Sequence, residues 1–261
     1  MKKTVLITGA SSGIGLELAH VFAAKHDLVL TARREDKLEK LAETLRSRGA
    51  NVRVLPADLA RREAPGEIFA ALQDTSIDVL VNNAGFATYG PFAETDLQTE
   101  LDLLQVNIAA LTHLTKLFLP QMVERRSGKI LNIASTAAFQ PGPLMAVYYA
   151  SKAYVLHFSE ALSNELQGSG VSVSAFCPGP VKSEFQERAQ MTSSKLVQGS
   201  LMSAHEAALA AYRGLQRRQA VVIPGRKARA FTHLVRLLPR ATTAAFVRHV
   251  QEKHAESSKE N

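Results

Sequence analysis

The chain has 261 residues, 46% hydrophobic and 21% charged, which are the proportions of an ordinary globular domain long enough to bury a substantial core. Its single cysteine, Cys177, excludes an intramolecular disulfide and any cysteine-built zinc site. The net charge of +7 is lopsided, with 11 Lys/Arg against 3 Asp/Glu from Arg213 onward and 20 against 21 before it. Basicity therefore belongs to the C-terminal segment, and no motif of a nucleic-acid-reading protein accompanies it.

The chain opens Met1-Lys2-Lys3-Thr4-Val5-Leu6-Ile7, an apolar run too short for a signal sequence. No later stretch approaches the roughly 18 apolar residues of a membrane span, so the expected location is the cytoplasm. Val5-Leu6-Ile7 reads as a buried strand. The turn that follows, Thr8-Gly9-Ala10-Ser11-Ser12-Gly13-Ile14-Gly15, opens a helix. Small residues there let the backbone approach a pyrophosphate, and the helix N-terminus favours its charge. The next strand, Leu28-Val29-Leu30, ends in Thr31-Ala32-Arg33-Arg34, with no carboxylate before Glu35. A carboxylate at this point would bind the ribose 2′-hydroxyl of NAD, whereas arginine accommodates a 2′-phosphate. Arg33 and Arg34 either begin a solvated helix against its dipole or meet that anion, and the second arrangement favours NADP(H).

Residues 35–48 carry helical spacing, and strands follow at Val52-Arg53-Val54-Leu55 and Val79-Leu80-Val81. Asp58, with Leu59 beside it, stands where it can accept from an adenine amino group. Asn82-Asn83-Ala84-Gly85 brings small residues and backbone amides to the strand end, where open α/β sheets bind ligands. Residues 97–122 read as one long helix carrying Asn107 among apolar neighbours, so Asn107 needs a hydrogen-bonding partner if buried. Lys129-Ile130-Leu131-Asn132-Ile133 is the fifth strand, followed by Ser135, whose hydroxyl can hold a substrate oxygen. Tyr148 and Lys152 stand four residues apart and share one helix face. A neighbouring ammonium is expected to lower the phenol from its ordinary pKa of about 10. Tyr149 has alanine, not lysine, four residues on. Val171-Ser172-Val173 and Val221-Val222-Ile223 complete seven strands. Alternating with helices, they predict an α/β fold, a Rossmann-type doubly wound parallel sheet with helices on both faces. Residues 183–203 lack periodicity and read as a mobile loop near the site. His113 and His157 have no partner at metal spacing, so no metal is expected.

Taken together, these motifs resemble the short-chain dehydrogenase/reductase family over roughly residues 4–225, in the order of the glycine turn, Asp58, Asn82 to Gly85, Asn107, Ser135, Tyr148 with Lys152, and Pro178-Gly179-Pro180-Val181. The resemblance implies a catalytic tetrad of Asn107, Ser135, Tyr148 and Lys152. The tyrosine would act as general acid or base and the serine would polarise the reacting oxygen. The lysine would hold the nicotinamide ribose, and the asparagine would support a water in a proton relay. It also implies cofactor contacts from Gly9, Ser11, Ser12, Gly13, Ile14, Gly15, Arg33, Arg34, Asp58, Leu59, Asn83, Ala84 and Gly85. Tyr148, Lys152, Pro178, Gly179, Val181 at the nicotinamide amide, and Ser183 in place of the family's usual threonine complete that set. The implied reaction is hydride transfer between NADP(H) and a carbonyl or alcohol substrate, apolar or acyl- or steroid-like, in a homodimer or homotetramer. Phe139, Pro141 and Phe185 are candidate substrate contacts. An NADP(H)-binding sensor, or a peripheral membrane interaction protein without turnover, is the competing class.

Residues 1–225 form the expected catalytic domain and 226–261 a basic helical extension of it, frayed beyond residue 254. Phe231, Leu234, Val235 and Leu238 make one apolar stripe and Phe246, Val247 and Val250 another, interrupted by Pro239. Arg229, Arg236, Arg240 and Arg248 lie among them. This extension either packs on the catalytic domain or a second subunit, or touches an anionic membrane through residues 226–254 or guides a lipid-like or anionic substrate.

Overall fold

A computed structural model describes residues 2–185, 201–235 and 237–252. Seven strands form one parallel sheet: β1 (Lys3–Thr8), β2 (His26–Thr31), β3 (Val52–Val54), β4 (Ile77–Asn82), β5 (Gly128–Ile133), β6 (Val171–Phe176) and, at the far edge, β9 (Val221–Val222). Their spatial order is β3-β2-β1-β4-β5-β6-β9, with registers such as Val5 opposite Leu28 and Ile130 opposite Val173. The order reverses between β1 and β4. In a doubly wound sheet that reversal opens a crevice at the carboxyl ends of the strands.

Successive strand residues point to opposite faces, and the two cores follow that alternation. Val5, Ile7, Leu28 and Leu30 pack on one face against α1 (Gly13–Ala23), α2 (Glu35–Arg46) and α7 (Ala204–Gln216), through residues such as Phe22, Leu38 and Leu215. Leu6, Val29, Leu80 and Ile130 pack on the other against α3 (Ala64–Ala71) and α5 (Leu111–Glu124), through Ile68, Leu114 and Phe118. On that side α6 (Ala146–Glu165) adds Val155 and Leu156 to a cluster containing Ala175 and the buried Cys177.

Three local differences from expectation have physical causes. Helix α2 stops at Arg46 because the chain reverses through Gly49 at φ 83°, a conformation suited to glycine. The expected helix over 97–122 is instead α4 (Leu97–Leu104), a π-helical turn (Gln105–Ala110) and α5. Of the segment 183–203, residues 186–200 lie outside the described residues. β7 (Val181–Lys182), just before it, and β8 (Met202–Ser203), at its end, form a short parallel pair that no periodicity announces.

In the extension, α8 (Arg226–Leu234) and α9 (Arg240–Gln251) are separated at Pro239, which caps α9. Val235 and Val247 are buried, as the apolar stripes suggest, but Leu234 and Leu238 are exposed. Helical spacing marks each stripe, and the fold covers only the part of it that faces the catalytic domain. No helix among the described residues is long and apolar enough to cross a membrane.

Candidate active site

A continuous cavity of about 990 Å³ runs along the carboxyl edge of the sheet. At one end lies the glycine turn. Gly9 sits at φ +66° and Gly13 at φ +57°, which favours glycine. A Cβ on Gly9 would come 2.8 Å from Ala84 Cα, and one on Gly15 would collide with the Asn83 side chain and with Gly9 O. The cavity wall therefore includes Gly9, Ser11, Ser12, Gly13 and Ile14, while Gly15 sits behind it as a packing glycine. Asn83 shares this structural duty. Its Nδ2 donates to Thr8 O at 2.8 Å and Gly9 O at 3.2 Å, and the Asn83 and Ala84 amides both donate to Thr8 Oγ1 at 3.0 Å. Its neighbour Asn82 is committed below, donating to Thr115 Oγ1 and Asn132 Oδ1.

Arg33, Arg34, Asp58 and Leu59 line the same end. Asp58 Oδ1 accepts from Ala60 N at 3.1 Å, a turn that fixes the carboxylate. Arg34 makes three such contacts: Nη2 donates to Ser11 Oγ at 3.1 Å and Ser12 Oγ at 3.0 Å, and Nη1 to Glu184 Oε2 at 2.8 Å. Each serine oxygen accepts from the guanidinium, so each hydroxyl keeps its proton to donate. The glycine cradle and these donors fit a dinucleotide.

Ser135, Tyr148 and Lys152 meet at the centre of the cavity wall. Ser135 caps the 3-10 turn Thr136–Phe139, its Oγ accepting from Ala137 N at 3.1 Å. The Tyr148 phenol is buried; burial pushes its pKa up, and the Ser135 side chain pulls it partly back. This departs from the expectation that Lys152 lowers the phenol. The ammonium lies 5.8 Å from the Tyr148 ring centroid, and its own pKa is pushed down to about 8 by burial. Lys152 Nζ donates to Ile133 O at 2.8 Å, which leaves two N–H donors for other partners.

Asn107 sits in the π turn, behind the cavity wall. Its Oδ1 accepts from Phe86 N at 3.1 Å, and Nδ2 donates to Phe86 O at 3.0 Å and Ser151 Oγ at 3.1 Å. The buried amide is thus satisfied, and π turns recur at functional sites because they re-aim side chains. Ala84, Gly85, Pro178, Gly179, Val181 and Ser183 also line the cavity.

Of the expected substrate contacts, Phe185 lines the cavity and packs on Tyr148 at 5.6 Å between centroids. Phe139 and Pro141 do not. Phe139 turns into the core beside Ala138 and Leu156, and Pro141 is exposed outside the wall. The apolar end is built instead from Met145, Tyr149, Phe231, Phe246, Val247 and Val250. Sequence reasoning left these residues unassigned to the site, although the apolar stripe of the extension was the signal that could have found four of them. Tyr149 Oη accepts from Gln251 Nε2 at 2.6 Å, and Tyr89 Oη donates to Gln251 O at 2.7 Å. The extension therefore packs on the site as one of its walls. Arg236 lies outside the described residues.

A family model described as short chain dehydrogenase matches residues 3–194. A short chain dehydrogenase of Pseudocercospora fijiensis is 36% identical over 187 residues, covering 70% of this chain and 60% of that protein. The match thus spans about three fifths of that curated relative. Among solved structures, a short-chain dehydrogenase from Sphingobium yanoikuyae in complex with NADPH is 38% identical, with TM-score 0.82, over 92% of this chain and 97% of that one. A bulky-bulky ketone specific alcohol dehydrogenase from Comamonas testosteroni is 31% identical, with TM-score 0.79, over 98% and 97%.

Proposed function

The chain belongs to the short-chain dehydrogenase/reductase family, and on that premise we propose that it is an NADP(H)-dependent oxidoreductase with Tyr148 as general acid and base. The observation that carries this reading is the meeting of Tyr148, Ser135 and Lys152 in one cavity whose other end carries Ser11, Ser12, Arg33 and Arg34. A bound nicotinamide dinucleotide supplies or accepts the hydride; the rest falls to the side chains.

The Tyr148 phenol, whose pKa burial raises further, is protonated near neutral pH, the state a general acid needs for carbonyl reduction. Ser135, which shares the cavity wall with that phenol, can hold the same carbonyl oxygen and fix the direction of proton delivery. Lys152 offers its remaining N–H donors to ribose hydroxyls and a positive charge beside the phenolate that forms. Asn107 positions this machinery by tying the Phe86 backbone to Ser151 on α6. At the other end, two serine hydroxyls, Arg33 and Arg34 favour a 2′-phosphate, and the Sphingobium relative was solved with NADPH.

Met145, Tyr149, Phe185 and Phe246 select an apolar carbonyl or alcohol, in keeping with the bulky ketones of the Comamonas relative. The exposed stripe Leu97, Leu101 and Leu104 on α4 supports self-association into a homodimer or homotetramer. Peripheral membrane contact has its own observation: Leu234, Leu237, Leu238 and Phe246 are exposed on an extension that also exposes Arg226, Lys227, Arg229 and Arg240. Absence of cosedimentation with anionic liposomes at low salt would remove that second reading.

The test of the main reading is Tyr148→Phe in an NADPH-oxidation screen over aldehydes, ketosteroids, 3-oxoacyl thioesters and quinones. Turnover is expected to fall by at least about 10²-fold with NADPH binding retained. Undiminished reduction would remove Tyr148 as proton donor. No turnover of any carbonyl by the unaltered chain would favour the nucleotide-binding sensor.

A further inference from the structure

Two adjacent residues just beyond β7 serve opposite ends of the cavity. Phe185 packs on Tyr148. Glu184 reaches the other way and accepts from Arg34 Nη1 through Oε2 and from Lys37 Nζ through Oε1, each at 2.8 Å. One carboxylate thus engages two cations at once, and one of them is the arginine that also grips Ser11 and Ser12. Those two cations hold the Glu184 carboxyl far below the usual range, at about 2, so it is charged at any working pH. It has been drawn into the donor group that the NADP(H) reading assigns to a 2′-phosphate.

We propose that Glu184 sets how strongly this protein discriminates between phosphorylated and unphosphorylated dinucleotides, by competing with a 2′-phosphate for Arg34 and Lys37. The inference rests on the NADP(H) reading. A phosphate monoester carries roughly −1.5 to −2 at neutral pH. To use Arg34 and Lys37 it must displace two charge-assisted hydrogen bonds or share their donors beside a like charge. An unphosphorylated ribose brings no such charge, and its 2′-hydroxyl can donate to a carboxylate. The same side chain therefore opposes one cofactor and tolerates the other. Arg33 is exposed and pairs with no carboxylate among the described residues, so it meets a phosphate without this competition. The competition is moderate and not prohibitive, because the Arg34 and Glu184 side chains are 29% and 39% exposed and water screens their attraction.

The experiment measures the dissociation constants of adenosine 2′,5′-bisphosphate and 5′-AMP by calorimetry, on the full chain, Glu184→Gln and Glu184→Ala. Glutamine keeps the size and removes the charge, and alanine separates charge from packing. Both variants are expected to bind the bisphosphate roughly three- to tenfold more tightly, on the scale of a partly screened ion pair, with 5′-AMP unchanged or weaker. The gain should shrink at about 0.5 M salt. Discrimination that appears only in the variants supports the inference equally. If the unaltered chain prefers the bisphosphate and both variants keep its affinity within about twofold, or bind it more weakly, the inference is overturned while the NADP(H) reading stands. If all three proteins bind the two nucleotides equally, the NADP(H) reading itself fails and the inference falls with it.

Discussion

Gln251 Nε2 donates to the Tyr149 hydroxyl across 2.6 Å, and both residues are buried. The last turn of a C-terminal extension is thereby tied to the residue beside Tyr148, over 102 positions of sequence. The same hydrogen bond pulls against burial, which pushes the Tyr149 phenol up to about 12. Tyr149 is therefore an anchor for the extension, while Tyr148 faces Ser135.

Removing that anchor should loosen the wall without touching the reacting groups. Gln251→Ala leaves the Tyr149 hydroxyl without its donor, at a cost of about 1–3 kcal/mol for a buried polar group. The expected result is a melting temperature several degrees lower and a raised KM for bulky apolar ketones, with kcat less affected. Thermal denaturation and steady-state kinetics measure both. An unchanged KM would show that the extension contributes nothing to substrate binding.

The glycine turn offers a sterically sharper test. A Cβ on Gly15 would stand 2.5 Å from Gly9 O, with the Asn83 amide closer still. Asn83 cannot retreat without giving up Thr8 O and Gly9 O. Gly15→Ala should therefore cost about 1–3 kcal/mol through overpacking and weaken nucleotide binding. Chemical denaturation and NADPH titration report the two losses. Full retention of both would mean that the turn tolerates expansion.

These two cases also separate what was legible in the sequence from what was not. The glycine turn, the Arg33-Arg34 step and the Tyr148/Lys152 pair are contiguous or lie one helical turn apart, so local spacing reveals their geometry. The strand runs are equally local, and all seven took their places in the sheet. Phe139 packs on the cluster of Ala138 and Leu156 and not on the cavity, because residue type alone does not give the direction of a side chain at the end of a 3-10 turn. Glu184 and Gln251 reach the site only through the fold, pairing across 150 and 102 positions. No periodicity encodes such a contact. Leu234 and Leu238 show the converse: helical spacing marks a stripe, but the neighbour decides which part of it is covered.

Lys152 provides a pH test of the site. The unfolded chain keeps its proton up to about pH 10.5, whereas the folded chain keeps it only up to about 8. Below pH 8 both forms are charged and the full cost of burying the ammonium is present. Between 8 and 10 unfolding takes up a proton, so stability from this residue rises with pH. Above 10 the raised phenols of Tyr148 and Tyr149 act in the opposite sense, because the folded state then holds protons that the unfolded one releases. The stability of the unaltered chain relative to Lys152→Met should therefore climb from pH 7.5 to 9.5 in urea unfolding experiments. A flat difference would place the folded Lys152 at its ordinary value.

The α4 stripe tests assembly. Leu97, Leu101 and Leu104 are 70%, 48% and 37% exposed, and positions four and three apart share one helix face. On the far side of the same helix Leu103 is fully buried, so the exposed leucines are not needed to hold α4 on its own domain. Three large apolar side chains on one exposed face imply a covering partner, and a second copy of the chain is the economical one. Leu97→Asp combined with Leu101→Asp should leave the fold intact by circular dichroism, since both positions already face solvent in the single chain. Light scattering on the unaltered protein should give a multiple of the chain mass, and on the double variant the mass of one chain. An unaltered protein that is already a single chain at micromolar concentration would remove the assembly and leave the stripe without a partner.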